Sequence, residues 1–451
     1  MPTVPRAAVA AALWRPASGA SGVQVYLARR AASSPFFGGF WSLCGGAVEP
    51  QDASAEAACA REVREETGVV LPADPAAFVD AGRWITPDFA PIRFDARYFL
   101  VRCPDGAEPD HALSGGEHDD GAWVTPGEAL ARWASGLWLI PPPVVSVLRA
   151  LAPGIDGAAE RCRAAAAREQ GGPRVWEWTP GIAVCPVRTP TLPPATHTNC
   201  YLLGAGRCVA IDPASPYPDE QRALDDAIAA WAARGRPLAE VWLTHHHPDH
   251  VGGVVHAARR WGVPVAAHEE TARRLAGHVR VDRAIRDGDV VELPGDPPRR
   301  VRAVFTPGHA PGHLCFFEET TGALVAGDMV AAVGTIVIDP DEGDMAAYLD
   351  SLRRMKALRA RYLLPAHGGP IVDADAKLDG YIAHRLWREA RVVDALAGRG
   401  AATAAELIPS VYADVPASLH ALAERSLVAH LAKLARDGRV RADGPRWSLI
   451  E

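Results

Sequence analysis

Leu243-Thr244-His245-His246-His247-Pro248-Asp249-His250-Val251-Gly252-Gly253 follows the apolar pair Val241-Trp242, and the reading of the whole chain turns on it. Histidines and a carboxylate at the end of a buried strand are costly to desolvate unless something neutralises them, and direct coordination of a divalent transition metal does so. His245 and His247 stand two apart, so on an extended backbone their side chains project to the same side and can share one ion. Asp249 and His250 follow the turn at Pro248, where they can hold a second ion beside the first.

Three fragments downstream repeat the arrangement. Val304-Phe305-Thr306-Pro307-Gly308-His309-Ala310-Pro311-Gly312-His313, Leu324-Val325-Ala326-Gly327-Asp328 and Tyr362-Leu363-Leu364-Pro365-Ala366-His367-Gly368 each put a His or Asp where an apolar strand stops. Any one of these is an ordinary turn residue. Together with the HxHxDH run they deliver ligands to one sheet edge and point to a dinuclear site. The set THxHxDHxGG, TPGHxxGH, GD and PAHG, in this order, resembles the metallo-β-lactamase superfamily over residues 175–380. The resemblance implies an αββα sandwich in which His245, His247 and His309 hold one Zn2+, Asp249, His250 and His367 hold a second, and Asp328 bridges both. His313 and Asn199 read as supporting or substrate-facing groups. The chemistry implied is metal-assisted hydrolysis, with Asp249 at the reacting centre and two Lewis acids lowering the pKa of a bridging water.

Length and composition set the frame around this site. At ~150 residues per domain the chain has room for about three domains, and 48% hydrophobic with 22% charged residues is ordinary for a globular protein. A formal net charge of −7 argues against a protein that is basic overall, though not against a local basic face. The cysteines, at 44, 59, 103, 162, 185, 200, 208 and 315, show no CxxC spacing, so neither a disulfide framework nor a cysteine zinc site is expected and a reducing cytoplasm is the simplest setting. The apolar stretch 7–13 lacks the context of a signal peptide, and no run approaches the ~18 apolar residues of a membrane span.

Upstream, residues 54–67 read as a helix with Ser54 as N-cap and Gly68 as its stop. Glu62, Glu65 and Glu66 fall at i, i+3 and i+4 and share a face, where Mg2+ or Mn2+ would relieve their repulsion. The plain alternative is a solvated face with Arg61 and Arg64 interleaved. Gly46 with Arg61-Glu62-Val63-Arg64-Glu65-Glu66-Thr67-Gly68-Val69 resembles the box of Nudix hydrolases. The resemblance implies an α/β/α sandwich over 1–155 that cleaves nucleoside diphosphate derivatives such as coenzyme A. Glu62, Glu65 and Glu66 would hold the metal and carry the chemistry, with Arg61 orienting a carboxylate or facing substrate. The first half of the box departs from the pattern: Asp52 comes one residue early, Ala53 stands at the expected acid, and Arg61 lies one residue too far. That displacement leaves a non-catalytic nucleotide sensor as the rival.

Residues 156–174, rich in Ala, Gly and charge, read as a linker with a short helical piece. In 381–451 a helix over 381–396, a capping box at Thr403-Ala404-Ala405-Glu406, a helix over 418–436 and a hairpin at Asp443-Gly444-Pro445 give the winged-helix order. This resembles the C-terminal domain of the β-lactamase-like 2 group, which implies single-stranded RNA as substrate. Lys433, Arg436, Arg439, Arg441 and Arg446 could then form a phosphate-facing strip. The chain therefore reads as an α/β multidomain hydrolase. Its site suits a phosphodiester such as RNA, or a thioester as in the hydroxyacylglutathione hydrolase branch, or partners a nucleotide-sensing Nudix module; no membrane partner is expected.

Overall fold

Strand Arg6–Pro16 turns Val9, Ala11 and Leu13 to one core and Ala10, Ala12 and Trp14 to another, the period of two that a pleated strand imposes. It belongs to the first of two compact units, Met1–Pro186 and Val187–Glu451, in a computed structural model that describes residues 4–17, 22–34, 36–88, 90 and 92–450. Phe94–Arg102 pairs with it in parallel and Val23–Arg30 antiparallel. Trp41–Ser42, Phe78–Ile85 and His118–Val124 complete the sheet. Ala58, Cys59 and Val63 of helix Ala55–Thr67 cover one face. Val144, Leu148 and Leu151 of helix Pro142–Leu151, with Ala159, Cys162 and Ala166 of helix Ala158–Gln170, cover the other. Helices on both faces of one sheet make the expected α/β/α sandwich.

Helix Ala158–Gln170 lies in the stretch expected to be a linker, and there the structure corrects the sequence. Its Glu169 accepts hydrogen bonds from Trp84 Nε1 at 2.8 Å and from Ser146 Oγ, so the helix is folded onto the first unit. Two strands follow, Trp176–Thr179 and Ile182–Arg188, broken at Pro180-Gly181. The second of them runs across the division between the units.

In the second unit two sheets are stacked. One contains His197–Leu203, Cys208–Ile211, Leu238–Trp242, Val265–Ala267 and Arg283–Ala284; the other contains Val290–Leu293, Arg299–Phe305, Leu314–Glu318, Ala323–Gly327 and Tyr362–Pro365. Cys208–Ile211 is buried along its whole length, as befits a strand covered on both faces. Alternation again decides direction. Trp242 meets Phe316 between the sheets with ring centroids 5.1 Å apart. Its neighbours Val241 and Leu243 pack outward against Val254 and Ala257 of helix Val254–Trp261. Tyr348, Leu349, Leu352 and Met355 of helix Met345–Ala357 cover the other sheet. This is the αββα sandwich, and the His- and Asp-bearing turns all leave it at strand ends.

The C-terminal helices are Ala374–Arg399, which starts well before the expected 381, then Ala404–Val411 and His420–Arg436. Ala402–Thr403, Arg446–Leu449 and Val440–Asp443 form a small sheet in that spatial order. Thr403 and Glu406 make both bonds of the capping box. Val392, Leu396, Leu407, Leu427, Leu431 and Val440 form the core of this winged helix. Among the described residues no helix is long and apolar enough to cross a membrane.

Candidate metal centre

His245 Nε2 lies 2.9 Å from His247 Nδ1, and His309 Nε2 lies 3.0 Å from that same atom. The far side of each ring shows which nitrogen carries the proton. Thr244 Oγ1 donates to Asp212 Oδ2 at 2.6 Å and so accepts from His245 Nδ1 at 2.9 Å. His247 Nε2 donates to Glu342 Oε1 at 2.6 Å, and His309 Nδ1 donates to the Val337 carbonyl at 3.0 Å. Each imidazole therefore turns a bare lone pair toward one point. Lone pairs at this spacing cannot hydrogen-bond to each other, whereas a cation between them turns repulsion into coordination.

A second group forms alongside. His250 Nδ1 donates to Asp212 Oδ2 at 2.8 Å and His367 Nδ1 to the His197 carbonyl at 2.9 Å, which leaves both Nε2 atoms facing Asp328. Asp328 Oδ1 is 3.5 Å from His250 Nε2 and 3.4 Å from His367 Nε2, while Oδ2 is 3.6 Å from His309 Nε2. Asp249 Oδ2 is 3.7 Å from His367 Nε2. The ligand atoms of His245, His247 and His309, and separately those of Asp249, His250 and His367, all lie within 4.8 Å of one another. Asp328 groups in the same way with His245 and His250. His250 Nε2 and Asp328 Oδ1 are buried with no hydrogen-bond partner. Buried polar atoms left without a partner are costly unless something binds them, and a mixed imidazole and carboxylate set fits zinc.

Charge follows the same division. Burial pulls His245 well below its ordinary value, and burial with the His247 neighbour brings His309 to about 4, so both are neutral and ready to ligate. Burial would also lower His250, but Asp328 and Asp212 outweigh it and hold it well above. Burial would raise Asp328, and His367 and His250 reverse that and hold it well below. An entering cation would displace the proton this second group keeps.

The neighbours of these groups were only partly foreseen. His313 is fully buried with both nitrogens engaged inside the protein: Nδ1 pairs with Thr306 Oγ1 at 2.8 Å and Nε2 accepts from the Asp328 N–H at 3.1 Å. It orients Asp328 from within, which is a correction to a substrate-facing reading. A Cβ on Gly327 would fall 2.5 Å from His313 Nε2, so only glycine allows this approach. Asn199 Nδ2 donates to the carbonyls of Pro365 and Gly368 at 2.9 and 2.7 Å and thereby sets the turn that carries His367, again a supporting place. Asp212 and Glu342 escaped the sequence reading. Asp212 had a signal, a carboxylate ending an apolar strand, and its φ of 53° aims it at Thr244 and His250. Glu342 sits in an irregular loop where spacing carries no information. His246 and His247 hold its carboxylate well below the usual range.

In the first unit Arg61 makes the contacts that organise the glutamates. Its Nε and Nη2 donate to Asp52 Oδ1 and Oδ2 at 3.0 and 2.9 Å, and Nη1 donates to Glu62 and Glu65 at 2.9 Å each. Position 52, not 53, therefore supplies the carboxylate, and the displaced spacing leaves the pairing intact. Glu66 is buried, accepts from the Gly45 N–H at 3.0 Å and is pushed by burial up to about 8. Burial also raises Glu62, over which Gly46 lies so closely that a Cβ would be 2.5 Å from Glu62 Oε2. Glu65 is half-exposed on Arg61. Among the described residues these three glutamates do not form a compact donor group.

The expected basic strip of the winged helix is occupied internally. Lys433 pairs with Glu389 at 2.9 Å, Arg436 with Asp344 at 2.7 Å, Arg439 with Glu389 at 3.3 Å and Arg446 with Glu406 at 3.2 Å. Arg441 donates to Ser448 Oγ at 3.3 Å. Acids distant in sequence pair with four of these five cations.

Imidazoles and carboxylates gathered at strand ends of an αββα sandwich define a metal-dependent hydrolase. The chain belongs to the metallo-beta-lactamase superfamily, whose description matches residues 193–367; a NUDIX domain matches residues 4–140 and a beta-lactamase associated winged helix domain matches residues 403–447. It is 34% identical over 273 residues to the lactamase-like protein adaB of Aspergillus niger, covering 56% of this chain and 81% of that one. An atrochrysone carboxyl ACP thioesterase of Aspergillus chevalieri is 34% identical over 266 residues, covering 56% of this chain and 82% of that protein. A beta-lactamase domain protein from Burkholderia ambifaria shares the fold with a TM-score of 0.53 at 24% identity, over 61% of this chain and 95% of that chain.

Proposed function

We propose that the metallo-β-lactamase domain is a dinuclear zinc hydrolase of acyl thioesters. The observation that supports the metal reading is the convergence of the His245, His247 and His309 lone pairs on one point, beside the buried, unpartnered Asp328 Oδ1. His245, His247 and His309 would hold one ion, Asp249, His250 and His367 the other, and Asp328 both. Bound zinc would supply Lewis-acid activation of water and of the thioester carbonyl. Asp249, 3.7 Å from His367, would hold the proton of the attacking water. A thiol of pKa about 8.5 leaves readily as thiolate, so the site needs no buried acid to protonate it. Two observations favour a thioester over RNA: a relative 34% identical is named an ACP thioesterase, and four of the five cations of the winged-helix strip are paired with acids of the same chain. Eight scattered cysteines with no CxxC spacing fit a reducing compartment such as the cytoplasm.

For the first unit we read a nucleotide-binding Nudix domain in which Glu62, Glu65 and Glu66 hold Mg2+ or Mn2+, with a nucleoside diphosphate derivative such as coenzyme A as ligand. A coenzyme A thioester would give both domains one substrate. The outward turn of Glu65 onto Arg61 favours a second reading, that this domain senses the nucleotide without cleaving it. We take the first domain to run through helix Ala158–Gln170, the metallo-β-lactamase domain to lie within 175–380, and the winged helix to be entered through helix Ala374–Arg399.

The full-length protein is to be offered S-lactoylglutathione, an acyl-CoA, an acyl-ACP and single-stranded RNA in parallel. Thiol release that His245→Ala abolishes supports the proposal. Zinc-dependent RNA cutting with no thiol released would replace it with the phosphodiester reading. Mg2+-dependent release of a nucleoside monophosphate, lost in Glu66→Gln, would make the Nudix domain an enzyme; tight nucleotide binding without turnover would make it a sensor.

A further inference from the structure

We propose that Glu342 is a positioning residue for the candidate metal centre, and that the C-terminal helices hold it there through the loop 331–344. The inference rests on the metal reading above. Glu342 Oε1 accepts from His247 Nε2 at 2.6 Å, and Oε2 accepts from His246 Nε2 at 2.9 Å and from Arg274 Nη1 at 3.0 Å. A carboxylate accepts and never donates, so it fixes the proton of His247 on Nε2 and leaves Nδ1 bare toward His245 and His309. Val337, in the same loop, accepts from His309 Nδ1 at 3.0 Å and does the same for that ring. One loop thus sets the tautomer of both His247 and His309.

The loop contains no helix or strand among the described residues, so its shape comes from elsewhere. Ordering an unsupported residue costs backbone entropy, which outside contacts must offset. Helix Ala374–Arg399 supplies the first set. Lys377 Nζ donates to the Ala332 carbonyl at 3.0 Å, Tyr381 Oη donates to the Gly334 carbonyl at 2.9 Å, and the buried Arg385 donates to the Ile336 carbonyl. Helix His420–Arg436 supplies the second: Arg425 pairs with Asp339 at 2.5 Å and Asp341 at 2.7 Å, and Arg436 pairs with Asp344 at 2.7 Å. Asp344 also caps helix Met345–Ala357 by accepting from the Ala346 N–H at 2.9 Å. Contacts of the winged helix therefore bracket Glu342 on both sides. The Arg425 and Arg436 pairs are partly exposed, so salt weakens them, whereas the buried hydrogen bonds resist it.

The test uses the full-length protein with three readouts: nitrogen-15 spectra of labelled histidine in the metal-free protein, zinc affinity by chelator competition, and metal counting. The wild type should show His247 protonated on Nε2. Glu342→Gln should show a mixture of tautomers and bind the tighter zinc about 10–100-fold more weakly at an unchanged count. Arg425→Ala with Arg436→Ala should give part of that loss, and added salt should weaken zinc binding more in the wild type than in this double variant. Wild-type tautomer and affinity in Glu342→Gln would overturn the proposal. So would a metal count that falls by one in that variant, because Glu342 would then be a ligand. A wild type that binds no zinc would instead bring down the hydrolase reading, and this inference with it.

Discussion

Asp212→Asn isolates how far the first ring of ligands depends on the groups behind it. Asp212 is buried and accepts from the Thr244 N–H at 2.8 Å, Thr244 Oγ1 at 2.6 Å and His250 Nδ1 at 2.8 Å. Asparagine keeps the shape but replaces one carboxylate oxygen with a donor. If the amide oxygen stays on Thr244, the amide nitrogen meets the His250 Nδ1 proton, donor against donor. The ring escapes by giving up its Nδ1 proton and keeping one on Nε2, where it points at Asp328 in place of the lone pair a metal needs. Loss of an outer partner of a metal ligand typically weakens binding about 10–100-fold, or about 1.4–2.8 kcal/mol at 1.4 kcal/mol per decade. The fold should survive, because the Thr244 N–H keeps an acceptor, and circular dichroism should match the wild type. Chelator competition reads the affinity and elemental analysis reads the count. Wild-type affinity at both positions in a folded Asp212→Asn protein would refute the reasoning.

Two further outcomes are expected from the first unit. Burial lifts Glu66 from 4.5 to about 8, so between those values the folded chain holds a proton the unfolded chain has lost. Stability of the metal-free protein should therefore fall as pH rises through that window, by an amount on the order of 4–5 kcal/mol in full. Mg2+ should bind more tightly over the same rise, and denaturant titrations of Glu66→Gln should show a flatter pH profile; an unchanged slope in that variant would reject the assignment. Leu148, fully buried between helix and sheet, should cost about 2–5 kcal/mol when cut to alanine. Urea unfolding should show that loss in the transition of the first unit with the zinc count of the second unchanged, and a uniform loss across both transitions would contradict the division into two units.

The ligand-bearing turns were legible because each places a charged or imidazole group where an apolar run stops, a pattern that survives without knowledge of the third dimension. His245 and His247 also announce their shared direction through the period of a strand. Other features depend on partners far along the chain. The basic strip looked free because Asp344 and Glu389, which neutralise Arg436, Lys433 and Arg439, are remote in sequence. Residues 158–170 looked like a linker because their Ala-rich composition hides that Ala159, Cys162 and Ala166 are small enough to pack tightly on a sheet. The one-residue displacement in the Nudix box looked damaging, yet a loop absorbs it and Asp52 still reaches Arg61. Glu342 had no signal at all, since an irregular loop has no period to read.

The central claim is that the His and Asp side chains converging on Asp328 form a two-metal cage. Elemental analysis of the full-length protein, purified without chelators and saturated with zinc, tests it most directly. The account predicts about two tightly held zinc ions per chain, both lost when Asp328 is replaced by alanine in a protein that still folds. A wild-type protein that keeps no zinc, or an Asp328→Ala variant that keeps its full complement, would contradict it.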